Sequence, residues 1–151
     1  MYERFTDTAR LAVVRSQNLA KERRSDCIDS THLLLAVLED DGAAAMLADL
    51  GASAPAVSEH LSTLIGSRPE AAPTSDLLFT PGAKESLQLS IRVADELGHQ
   101  LAAAQHILLG LIRQRGTAAQ ILAEFGVAPP PEPPRPSLLG RLRSGSRRRA
   151  T

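Results

Sequence analysis

The sequence predicts an all-α domain made of two similar helical halves, and three observations predict it. FTDTAR at Phe5 to Arg10 returns as FTPGAK at Phe79 to Lys84, and THLLLAVL at Thr31 to Leu38 returns as QHILLGLI at Gln105 to Ile112, both 74 residues later. In each copy a histidine follows the opening phenylalanine by 27 positions, His32 after Phe5 and His106 after Phe79. Apolar residues recur at helical spacing through both copies, while no convincing run alternates with the period of two that a half-buried strand needs. Past residue 40 the offset becomes 75, so GAAAMLADLG at 42–51 matches TAAQILAEFG at 117–126, and the first copy is one residue shorter in the turn near Asp40. A duplicated unit usually keeps an apolar face that only its twin covers, so the seam between copies is where a functional site is expected.

The elements follow in order. Phe5, Ala9, Ala12, Val13, Ser16 and Ala20 mark one stripe of a first helix that starts after a Thr6 N-cap, with Leu11 and Val14 off that stripe on a second, less buried surface. The pattern repeats at Phe79, Ala83, Leu87, Ser90, Ala94 and Leu97, with Thr80 as N-cap, Pro81 at the favoured first position and Gly98 as the stop. Ser30 is expected to cap a dense helix from Thr31 to Glu39, and Ile107 to Ile112 is its counterpart. Ala43 to Leu50 and Thr117 to Phe125 read as short Ala-rich helices ended by Gly51 and Gly126, and Pro55 to Ile65 reads as a fourth helix with Val57, Leu61, Leu64 and Ile65 on one side. The second copy departs here. VAPPPEPPRP at 127–136 has too many prolines to repeat that helix, and residues 129–151 read as a Pro-rich, then Arg-rich tail without fixed structure. Its leucines, Leu138, Leu139 and Leu142, are candidates to cover the face that the lost helix leaves bare. The organisation is thus copy one at 1–66, a linker at 67–78, copy two at 79–128 and the tail.

With 151 residues the chain suffices for one domain without metal or disulfide support. The single Cys27 forms no internal bridge and reads as a small buried residue. There is no signal-peptide pattern, and the longest strongly apolar run is far too short to span a bilayer, so the expected location is cytoplasmic. A net charge of zero hides a division: residues 1–134 hold 11 basic and 17 acidic side chains, and residues 135–151 hold six Arg and no acid.

Catalytic chemistry is not expected. His32 and His106 each stand as the only His or Cys on a predicted helix, which fits a core or capping histidine better than a metal ligand. No nucleophile elbow, paired acid or Cys-His constellation is recognisable, and no cofactor is implied. Nucleic-acid binding through Arg141, Arg143 and Arg147–Arg149 is disfavoured, since no aromatic residue lies among them for base stacking and the body is acidic.

FT-x-x-A, then [TQ]-H-[LI]-L-L, then a small-residue turn with Ala-Ala and a Gly stop, each present twice, resembles the Clp amino-terminal domain, a double four-helix repeat that precedes ATPase modules, and ClpC-type domains above all. The resemblance covers roughly residues 1–128. It implies two pseudo-twofold bundles of about four helices each, with the last helix of the second copy degraded. No G-x-x-x-x-G-K-[ST] phosphate loop occurs in the sequence, so this looks like a free-standing amino-terminal domain rather than the motor.

In ClpC-type domains the ligand groove lies between the first helices of the two copies. The positions that match it are Tyr2, Arg10 and Val13 from the first copy, with Phe79, Lys84, Leu87 and Gln88 from the second. The resemblance implies aromatic anchors in Tyr2 and Phe79, an apolar floor in Val13 and Leu87, and polar groups for carbonyl oxygens in Arg10, Lys84 and Gln88; helical spacing alone reads Phe79 and Leu87 as core. The partners implied are peptides, cyclic-peptide antibiotics, Clp adaptors, clients or the ClpC unfoldase itself. A second site of such domains pairs phosphoarginine with a Glu before the repeat His. Here Thr31 and Gln105 stand there, and neither offers the two anionic oxygens that a guanidinium prefers. The function expected is a non-enzymatic binding module that acts as a decoy for ClpC-directed ligands, with an adaptor delivering cargo to a Clp protease as the rival, and a tail-driven nucleic-acid regulator as the weakest alternative.

Overall fold

The computed structural model describes residues 2–66 and 77–127. Among them the architecture is helical throughout, with seven α-helices, no strands and two isolated β-bridges. A 3-10 turn at Tyr2–Arg4 leads into α1 (Asp7–Glu22), followed by α2 (Ser30–Val37), α3 (Asp41–Asp49) and α4 (Ala54–Gly66). The second copy gives α5 (Pro81–Glu96), α6 (Ala104–Gln114) and α7 (Thr117–Glu124). The tail at 129–151 and most of the linker lie outside the described residues, as does any structure of Leu138, Leu139 and Leu142.

Local chemistry starts the helices where the repeat places them. The Thr6 hydroxyl accepts from the Ala9 N–H and the Thr80 hydroxyl from the Ala83 N–H, both at 3.2 Å, so each first helix has its side-chain cap. Gly51, Gly98 and Gly126 follow their helices at φ of 101°, 78° and 92°, the left-handed stop that favours glycine. One cap differs from expectation. Asp29, not Ser30, caps α2: its Oδ1 accepts from the Thr31 N–H at 2.8 Å and also from the Thr31 hydroxyl, while Ser30 opens the helix. A carboxylate is the stronger acceptor, which moves the start by one residue.

The two repeat histidines complete the second helix of each copy. His32 Nδ1 accepts from the Asp29 N–H at 3.1 Å and His106 Nδ1 from the Ala103 N–H at 2.8 Å, closing the N-terminus from the third helical position. Both rings are buried, as a capping histidine requires. With Nδ1 an acceptor, each neutral ring carries its proton on Nε2. That proton points at Ser25 Oγ in copy one (3.0 Å) and at His99 Nδ1 in copy two (2.9 Å).

All eight residues of α2 are buried, and most of α6 is too, so these two helices form the centre. They touch each other, α1 packs on α2, and α5 packs on α6. The α1 stripe is buried as its spacing predicts, with Leu19 added, whereas Leu11 and Val14 are exposed. On α5, Leu97 lies beyond the helix end and is exposed, so the apolar stripe closes at Ala94. Leu64 of α4 is likewise on the surface, and Cys27 is only partly buried.

The halves are interlocked by reciprocal straps. The lead-in to α1 pairs with the loop before α6: Thr6 N–H donates to Ala102 C=O at 2.9 Å, and Ala102 N–H to Arg4 C=O at 2.7 Å. The lead-in to α5 pairs with the loop before α2 in the same way, Ile28 N–H to Leu78 C=O and Thr80 N–H to Ile28 C=O, both at 2.9 Å. Arg4 strengthens the first strap by donating to Gln100 C=O at 3.1 Å and to Asp95 at 2.5 Å.

Packing is not symmetric. Gly110 of α6 stands where α2 has Ala36, and a Cβ at Gly110 would lie 2.4 Å from Ser86 C=O, so α5 and α6 approach closely in a way that Ala36 denies to α1 and α2.

Candidate functional site at the seam

The straps set the start of α1 against the loop that follows α5, and the start of α5 against the loop that follows α1, while these two helices make no extensive contact with each other. Tyr2 sits on the 3-10 turn, 45% exposed, with its ring 5.8 Å from that of Phe5 and tilted by 47°. Phe5 is thereby sealed at 1% exposure, whereas its counterpart Phe79 is only half-buried. Lys84 and Gln88 are exposed one turn apart on α5.

Three of the residues picked out from the sequence have different surroundings from those expected. Val13 is 4% exposed and Leu87 is 1% exposed, so both are core residues and neither presents a groove floor. An amphipathic stripe has the same spacing in both situations, which is why spacing could not separate them. Arg10 is on the surface, but its Nε donates to the Tyr2 carbonyl at 3.1 Å, so it anchors the aromatic turn from within the chain. Tyr2, part of Phe79, Lys84 and Gln88 thus keep accessible surface. Thr31, at the position where the resemblance implies a carboxylate, is fully buried with its hydroxyl donated to Asp29.

Sequence reasoning missed a cleft elsewhere on the surface. A cleft of about 260 Å³ lies in copy one between α1, the end of α2 and the start of α3, lined by Thr8, Leu11, Ala12, Arg15, Ala36, Glu39, Asp40 and Asp41. Arg15 Nε donates to both Glu39 oxygens at 3.2 and 3.1 Å, and its Nη1 to Glu22 at 3.1 Å, which raises the guanidinium pKa above its ordinary value. Asp40 Oδ2 caps α3 at Ala43 N–H. In copy two Arg113 of α6, at the position matching Glu39, holds Glu96, at the position matching Glu22, with two bonds of 2.9 Å, keeping that carboxyl below its usual range. The exposed Leu11 and the 39–41 acids were visible in the sequence; their convergence depends on how far α1 stands from α2.

Among the described residues no three His, Cys, Asp or Glu side chains gather as a metal site, and no helix is long and apolar enough to cross a membrane.

The Clp repeat (R) N-terminal domain family matches residues 4–125. The chain belongs to that Clp repeat family. Among curated relatives, a chaperone protein ClpB of Oceanobacillus iheyensis is 37% identical over 131 residues, and the negative regulator of genetic competence ClpC/MecB of Bacillus subtilis is 36% identical over 131 residues. Each alignment covers 85% of this chain but 16% of the relative, so the chain spans about a sixth of the length of the proteins it matches. The N-terminal domain of ClpD from Arabidopsis thaliana superposes with a TM-score of 0.64 at 22% identity, covering 98% of this chain and 97% of that one, which is a likeness of fold. This Clp repeat domain is thus related to ClpB and ClpC about equally by identity.

Proposed function

We propose that this Clp repeat domain is a non-enzymatic recognition module whose seam takes a peptide, an adaptor or a cyclic peptide, and that it acts as a decoy for ligands directed at a full-length ClpC-type unfoldase. The observation that supports the reading is that Tyr2, Lys84 and Gln88 are exposed and Phe79 is half-buried, so that two aromatic and two polar side chains remain accessible at the starts of the two copies. Aromatic anchors beside a few polar groups are the usual composition of a binding hot spot.

The test is competition. Added in molar excess to a reconstituted ClpC protease degrading an adaptor-delivered substrate, the chain lowers the rate, and Tyr2→Ala or Lys84→Ala relieves the inhibition. A rise in rate would establish the adaptor role instead, and no change at any excess would remove both.

A further inference from the structure

The geometry points to the copy-one cleft as a docking site for the chain's own C-terminal segment, Ser137 to Arg149. This is independent of the seam.

The cleft combines two features that few surfaces share. Its accessible apolar side is Leu11, which is 69% exposed, above the nearly buried Ala12 and Ala36. Its rim is acidic, because Arg15 faces Glu22, Glu39, Asp40 and Asp41, one cation against four carboxylates, and is already held by Glu39 and Glu22. A complementary ligand carries leucine and arginine close together with no acid. SLLGRLRSGSRRR at 137–149 is such a segment, with Leu138, Leu139 and Leu142 interleaved with Arg141 and Arg143. Opposite charge on both sides favours encounter and orientation, while the leucines supply burial that salt does not screen.

The nine residues 128–136 allow a proline-rich connection of up to about 28 Å at ~3.1 Å per residue, about twice the radius of gyration of about 14 Å for a folded unit of this size. Tethering also raises the effective concentration of the segment to the millimolar range, so weak contacts suffice.

Copy two offers no equivalent. Leu11, Arg15, Glu39 and Asp40 are matched there by Glu85, Leu89, Arg113 and Gln114, one acid and one base, so the net acidity of the rim is lost and the exposed leucine gives way to a carboxylate. Gly110 draws α6 against α5, and the Gln114 side chain lies 3.3 Å from the Cβ position of Gly82, filling the corresponding space. The asymmetry predicts one site per chain.

Amide chemical shifts of the 1–151 chain test this. Comparison of the wild type with Arg141→Ala/Arg143→Ala at low salt is expected to show differences focused on Leu11, Ala12, Ala36 and residues 39–41, and none at Glu85, Gly110 or Gln114. Leu138→Ser/Leu139→Ser, which leaves charge unchanged, is expected to shift the same amides, and raising salt to about 0.5 M to reproduce the arginine effect in the wild type. No difference, differences scattered over the acidic surface, or a focus on the seam around Tyr2 and Phe79 would overturn the proposal. A cleft signal in the wild type that vanishes on tenfold dilution would assign the segment to a second copy and overturn it equally. Asp41→Asn, at an exposed position, is a variant of the cleft itself and is expected to reduce the tail-dependent shifts.

Discussion

Each repeat histidine was identifiable as a capping or core residue, because it recurs at a fixed distance from the opening phenylalanine at the start of an apolar helix. Its hydrogen-bond partners were not, since Ser25 and His99 come from the preceding loop and are set by its turn. His32→Ala removes a buried ring, the cap on Asp29 N–H and the partner of Ser25, and is expected to lower stability by about 2–4 kcal/mol in urea unfolding. His106 ties the stability of the fold to acid. Burial, and then the nearby His99, lower the pKa of His106 below its ordinary 6.5, so the folded state binds fewer protons than the unfolded state. Its contribution to stability is fully present above pH 6.5 and is lost as pH falls through the lower folded-state value. A urea midpoint that declines with acidification over that window is the expected result. His99→Ser, which copies the arrangement at Ser25, makes the decline shallower, and an unchanged slope would show that burial alone sets the shift.

The helices were readable from sequence because their period, threonine caps and glycine stops agree with one another in both copies. What was not readable is the separation between helices, and that separation decides which residues are core and which line a cleft. Leu87 and Val13 are packed in, while Leu11 two positions before Val13 borders a cleft. Gly110 controls the close pair. Gly110→Ala places a methyl 2.4 Å from Ser86 C=O and 2.9 Å from Ser90 N, both backbone atoms, so α5 must move away from α6. The expected loss is about 1–3 kcal/mol in urea unfolding, although alanine is the better helix former. The mirror change, Ala36→Gly, meets no such contact and is expected to lose about 1 kcal/mol from helix propensity and a lost methyl.

At the scale of the whole molecule the duplication was evident from two matched segments, but the exchange of straps was not, because Ile28 and Ala102 lie in loops with no periodic pattern. With the opening of each copy bonded to the other copy's loop, neither half is complete alone. Calorimetry is accordingly expected to give one transition whose van't Hoff and calorimetric enthalpies agree, and two resolved transitions would show that the halves fold separately. The same straps hold the segments that carry Tyr2 and Phe79, so the proposed recognition at the seam depends on them. The most direct test of that recognition is an isothermal titration of the 1–151 chain with a ClpC-directed cyclic peptide, alongside Tyr2→Ala and Lys84→Ala. The account predicts saturable binding to the wild type and affinity at least about tenfold weaker, or ~1.4 kcal/mol, for each variant. Absence of heat with folded protein, or undiminished binding by both variants, would contradict it.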